Sequence, residues 1–67
     1  MGEEKKKRVL DELEKNYPID LSIKEVSHLT GLSDPTASTY LKVLEAQGKI
    51  ECSRKVGNAI FYRFKRT

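Results

Sequence analysis

The sequence predicts an α+β fold: three helices, a short strand and a C-terminal β-hairpin, forming one domain over residues 1–67. Three observations carry this reading. Apolar residues recur at helical spacing over Val9–Leu13 and again between Ile23 and Leu44. Within the second stretch, Gly31-Leu32-Ser33 breaks the pattern where a tight turn between two helices would fall. After Gly48 the period changes from helical to alternating, as in strands.

The first helix is expected from about Glu3 to Lys15, with Val9, Leu10 and Leu13 as its apolar stripe and Tyr17 continuing it. Glu3 and Glu4 favour its start and Lys15 its end, by the helix dipole. Lys5, Lys6, Lys7 and Arg8 are interleaved with acids, so i,i+4 pairing on a solvated face is their expected role. Asn16 and Pro18 end the helix, and Ile19-Asp20-Leu21 reads as a short extended segment.

Ser22-x-x-Glu25 then fits a capping box opening a second helix. Ile23, Val26, Leu29 and Thr30 supply its buried face, and Gly31 ends it in a left-handed conformation. Leu32 plugs the space between helices, and Ser33 or Asp34 caps the third. Pro35 falls in its first turn, where a missing N–H costs nothing. Over helix 35–47, Ala37, Leu41 and Leu44 line the inner side with Gly48 beyond. Helix, Gly-containing turn, helix is the helix-turn-helix pattern.

The outer side of that third helix is unusual. On a wheel of about 100° per residue, Pro35, Thr36, Thr39, Lys42 and Val43 face outward, flanked by Ser38 and Tyr40. No carboxylate lies between Asp34 and Glu45, in a chain that is 34% charged. An acid-free face rich in hydroxyls suits approach to phosphates and base edges.

In the hairpin, Ile50, Cys52, Ile60, Tyr62 and Phe64 are expected on the inner face, with Arg54-Lys55-Val56-Gly57-Asn58 at its tip. Three helices followed by a basic-tipped hairpin make a winged helix. The run from Ile23 to Phe64 resembles the winged helix-turn-helix of bacterial and archaeal transcription regulators, above all the ArsR-like group, through TGLSDPTASTYLKVLEAQGKI and the distal FYRF. That resemblance implies major-groove contacts from Thr36, Ser38, Thr39 and Tyr40. It also implies wing contacts with the DNA backbone or minor groove from Arg54, Lys55 and Asn58.

The chain departs from the metal-sensing members, which carry Cys pairs or Asp and His ligands. It has no Cys-x-Cys; Cys52 is expected in the core and His28 at the surface, so no metal or other cofactor is expected. No helix is expected after Phe64, which removes the usual dimer seam of that group. A homodimer is nevertheless expected, because one helix-turn-helix covers only one half-site and so short a chain supports little core. Its seam would use helix one, the wing or Phe61, whose ring alternates out of the inner face.

Charge and composition narrow the partner. Formal net charge is +3 and the pI about 9.1. Residues 1–34 hold six Lys/Arg against eight Asp/Glu, whereas residues 35–67 hold seven against two, so the basic half carries both expected DNA-contacting elements. There is no catalytic constellation and too little chain for a walled pocket, so an enzyme is not expected. A Z-DNA-binding winged helix is disfavoured, since Ser38 and Lys42 occupy the two helix places it needs and Trp is absent. A winged helix that binds another protein is the alternative, and the basic half argues against it. One cysteine, no bilayer-spanning run and no signal peptide point to a cytoplasmic protein. The sequence thus predicts a regulator that binds double-stranded DNA through Pro35, Thr36, Ser38, Thr39, Tyr40, Lys42, Arg54, Lys55 and Asn58.

Overall fold

The computed structural model describes residues 2–66. Its elements run α1 (Gly2–Asn16), β1 (Leu21–Ser22), α2 (Ile23–Thr30), α3 (Asp34–Ala46), β2 (Ile50–Val56) and β3 (Ala59–Phe64). The strands form one antiparallel sheet in the order β1-β3-β2. This is the α+β winged-helix architecture that the periodicities predict.

In α1, Val9 and Leu13 are fully buried and Leu10 packs against the same core. Val9 and Leu13 thus serve the domain interior, whereas Leu10 is only partly buried and lines a surface groove with Leu44. Tyr17 ends the stripe at the surface, where its ring meets that of Phe64 edge-on with centroids 6.1 Å apart. The basic run behaves differently from the expected i,i+4 ladder: Lys6 pairs with Glu3 at 3.6 Å, one turn away at i,i+3. Arg8 instead reaches α2 and donates to the Thr30 carbonyl at 3.4 Å.

The capping box opens α2 as predicted, with Glu25 N–H donating to Ser22 and Ser22 N–H to the Glu25 carboxylate. Val26 and Thr30 are buried, and the Thr30 hydroxyl donates back to the Val26 carbonyl at 2.7 Å. Leu29 departs from expectation and is 47% exposed. It lies about 100° around the helix from Thr30, at the edge of a stripe that an eight-residue helix turns inward. Gly31 closes α2 at φ 75°, a conformation that a Cβ would strain. Ser33, and not Asp34, caps α3.

Ala37, Leu41 and Leu44 from α3 meet Val9, Leu13 and Val26 in the core, which Leu21, Ile50 and Tyr62 close from the sheet. β2 departs from the alternation expected of it. Cys52 pairs with Tyr62 but Arg54 pairs with Phe61, so Ser53 is an extra residue, a β-bulge. Cys52 is exposed, because only Ile50 is buried in β2 and the strand then runs out beyond the helices. Past the bulge the two faces exchange: Arg54 opposes Phe61, and Lys55 opposes Ile60.

Candidate nucleic-acid interface

The outer surface of α3 begins at its cap. The Ser33 hydroxyl accepts from the Thr36 N–H at 3.3 Å and donates to the Thr36 hydroxyl at 2.8 Å. Pro35 then contributes an exposed first turn, and the Thr39 hydroxyl donates to the Pro35 carbonyl at 3.0 Å. Pro35, Thr39 and Lys42 are exposed, with Val43 38% exposed beside them. Thr36, Ser38 and Tyr40 are half-buried, and Tyr40 also packs on the core. Inner Ala37, Leu41 and Leu44 hold the helix down and leave Pro35, Thr39, Lys42 and Val43 uncovered.

At the wing tip, Gly57 and Asn58 join Val56 to Ala59, with φ 58° at Gly57 and no positive φ at Asn58. A positive φ at the first central residue alone is the pattern of a type II′ hairpin turn, which matches the strand twist. Asn58 and Asp34 line one groove together with Ser22, Ile23, Lys24, Ala59 and Phe61. The start of α3 and the wing turn are thus brought to one side of the molecule. Lys24 joins them there, and nothing in its local sequence signals this.

Arg54 and Lys55 are not brought together. Adjacent strand residues point to opposite faces, and past the bulge Arg54 takes the Phe61 side. Its guanidinium lies 4.4 Å from the Phe61 ring centroid, and its Nε donates to Asp20 Oδ2 at 3.0 Å. The Ser53 hydroxyl and the Arg54 guanidinium hold the Asp20 carboxyl below its ordinary value, against the opposing effect of desolvation. Phe61, expected to expose its ring, is half-buried with Arg54 stacked upon it. Lys55 and Asn58 are exposed, and Lys55 forms no ion pair among the described residues. At the other end of the hairpin, Arg63 is engaged, donating to one Glu51 carboxylate oxygen through Nε at 3.2 Å and through a terminal nitrogen at 2.6 Å.

Among the described residues, no group of three or more His, Cys, Asp and Glu side chains is arranged to hold a metal ion. Nor is any described helix long and apolar enough to cross a membrane.

A family model described as winged helix-turn-helix DNA-binding matches residues 3–51, from α1 into β2. The chain belongs to the winged helix-turn-helix DNA-binding family. In this family member, α2 and α3 are the helix-turn-helix pair, and β2 and β3 form the wing. A crystal structure of a possible transcriptional regulatory protein from Mycobacterium bovis, a fragment of residues 1–100, is similar to it at a TM-score of 0.73 and 28% identity. The match covers 85% of this winged helix and 60% of the mycobacterial chain, so it spans less than two thirds of that protein fragment. No curated protein matches the sequence.

Proposed function

We propose that this chain is a sequence-specific double-stranded DNA-binding protein, a transcriptional regulator of ArsR-like type that acts as a homodimer. α3 enters the major groove, with Thr36, Ser38, Thr39 and Tyr40 directed to base edges and Pro35 and Lys42 close to the strands. The wing follows the backbone or minor groove through Arg54, Lys55 and Asn58. The observation that carries this reading is the acid-free outer side of α3 between Pro35 and Val43, with Pro35, Thr39 and Lys42 exposed, on a helix whose first residue, Asp34, shares a groove with Asn58 of the wing turn. Hydroxyl and ammonium donors on that side complement phosphates and the acceptors of the major groove, where a carboxylate would be repelled. The description of the mycobacterial relative as a possible transcriptional regulatory protein supports regulation as the purpose of binding.

Pairing follows from half-site logic: two copies would read sites about one helical turn apart. Because Val9 and Leu13 are buried, the apolar side chains left for such a seam are chiefly Ile19, Leu29 and Val56.

The test is binding to duplexes selected from a random pool, measured against salt. Lys55→Ala should weaken binding to selected and random DNA alike. It should also shrink the slope of log affinity against log salt by about one unit for the lost phosphate contact. Absence of salt-dependent binding to any duplex would favour a protein partner for the same surface. Sedimentation with and without a two-half-site duplex tests pairing, and a monomer that retains full specificity would refute it.

A further inference from the structure

Asp20 lies in the loop between α1 and β1, and its side chain is only 16% exposed. A carboxylate beside a DNA-binding wing is a liability in simple electrostatic terms, since it repels phosphate. What it touches gives it a different role. Asp20 accepts from Nε of Arg54 at 3.0 Å, while Phe61 supports the guanidinium plane from below at 4.4 Å. One nitrogen and one face of the group are thereby occupied. The two terminal nitrogens make no hydrogen bond within the described residues, and the side chain remains 58% exposed. The bulge at Ser53 makes this possible, because without it Arg54 would lie on the opposite face from Phe61. Phe61 also lines the groove shared by Asp34 and Asn58, so the held guanidinium sits at the border of the proposed DNA surface.

We infer that Asp20, with Phe61, is a positioning residue that pre-orders Arg54 so that its terminal N–H groups donate to a DNA phosphate beside the wing. The inference rests on the reading of α3 and the wing as a DNA interface. A free arginine loses side-chain freedom when it binds, and a side chain already held in place loses less. Arginine suits the task because its planar fork offers paired donors to a phosphate while another nitrogen is used elsewhere. Lysine offers no such division of labour.

The sign of the effect separates this role from others. Arg54→Ala should weaken binding roughly tenfold, as expected for a charge-assisted hydrogen bond. Asp20→Ala should weaken it about two- to tenfold, although the variant removes a negative charge from a protein that binds a polyanion. In the Arg54→Ala background only the repulsion remains to be relieved, so Asp20→Ala should there leave binding unchanged or tighten it. Circular dichroism and thermal melts of every variant establish that each is folded at the assay temperature. Tighter binding by Asp20→Ala alone would overturn the inference, as would equal weakening in both backgrounds, which is what a loosened loop would produce. An Arg54→Ala variant that binds like the parent would also overturn it. If Thr39 and Lys55 variants weaken binding while these outcomes occur, only this inference fails. If no variant in α3 or the wing alters binding, the DNA reading itself fails.

Discussion

Ser22 and Glu25 cap α2 reciprocally: the Glu25 N–H donates to the Ser22 hydroxyl at 3.1 Å, and the Ser22 N–H donates to the Glu25 carboxylate at 2.9 Å. Ser22 is at the same time a strand residue, paired with Phe61 across β1 and β3. The pair therefore joins the helix-turn-helix to the sheet at one residue. Ser22→Ala should cost about 1 kcal/mol, the usual value of an N-cap. For a domain of this size that lowers the Tm by roughly 4–8 °C. Glu25→Ala should cost less, since the serine cap survives. Thermal melts check both, and an unchanged Tm in Ser22→Ala would show that the cap is not needed for α2.

Leu41 and Leu29 make a matched pair for testing which face of the helix-turn-helix supports the fold. Leu41 is fully buried and Leu29 is 47% exposed. Leu41→Ala should cost about 2–5 kcal/mol through lost transfer energy and a residual cavity. That is a large share of the roughly 5–15 kcal/mol typical of a folded domain. Leu29→Ala should cost under about 1 kcal/mol, because it opens no cavity and alanine suits a helix. Urea titration of both variants gives the comparison. Equal losses would place Leu29 in an apolar contact outside the monomer.

Thr39 and Tyr40 test the reading face of α3. The Thr39 side chain is exposed and bonds only to the Pro35 carbonyl, so Thr39→Ala should leave stability nearly unchanged. On the preferred duplex it should cost about 1–3 kcal/mol and relax base preference at one position. Tyr40 also packs on the core, so Tyr40→Phe is the informative change, retaining the ring and removing the hydroxyl. Binding to preferred and scrambled duplexes is the measurement. Equal loss on both would assign these hydroxyls to the backbone.

Tyr62 sets an alkaline limit to stability. Burial, then the charges of Glu45 and Cys52, raise its pKa above the ordinary 10.0. Because the folded state holds the proton more tightly than the unfolded state, the contribution is fully present below pH 10. It is lost progressively as pH rises from 10 toward the raised value, where the unfolded chain ionises first. Tyr62→Phe should flatten this decline while leaving neutral-pH stability similar. Denaturation midpoints between pH 8 and 11 check it, and an unaltered decline in the variant would assign the effect to another group.

The helical part of the fold was legible because its signals lie within a few residues of one another. Ser22 and Glu25, Gly31 at positive φ, and Pro35 in the first turn of α3 all do in three dimensions what their spacing predicts. The exposed side of α3 was equally readable, since a helix wheel needs only the pitch and a buried stripe of Ala37, Leu41 and Leu44. Thr36 proved less open than the wheel implied, while Ser38 and Tyr40, which the wheel puts at the flanks, are half-buried, Tyr40 against the core.

What the sequence determined by itself was therefore the order of elements, their caps and turns, and which helix side carries hydroxyls without acids. Tertiary structure decided the wing. Alternation predicts faces only while the register is unbroken, and the extra residue at Ser53 exchanges them, sending Arg54 to the Phe61 side and Lys55 to the Ile60 side. Tertiary structure also set the exposure of Cys52, since a strand face is buried only as far as helices extend over it. The contact of Asp20 with Arg54 spans 34 positions and depends on β1 pairing with β3. No window of sequence contains it, because the two residues meet only after the sheet has formed.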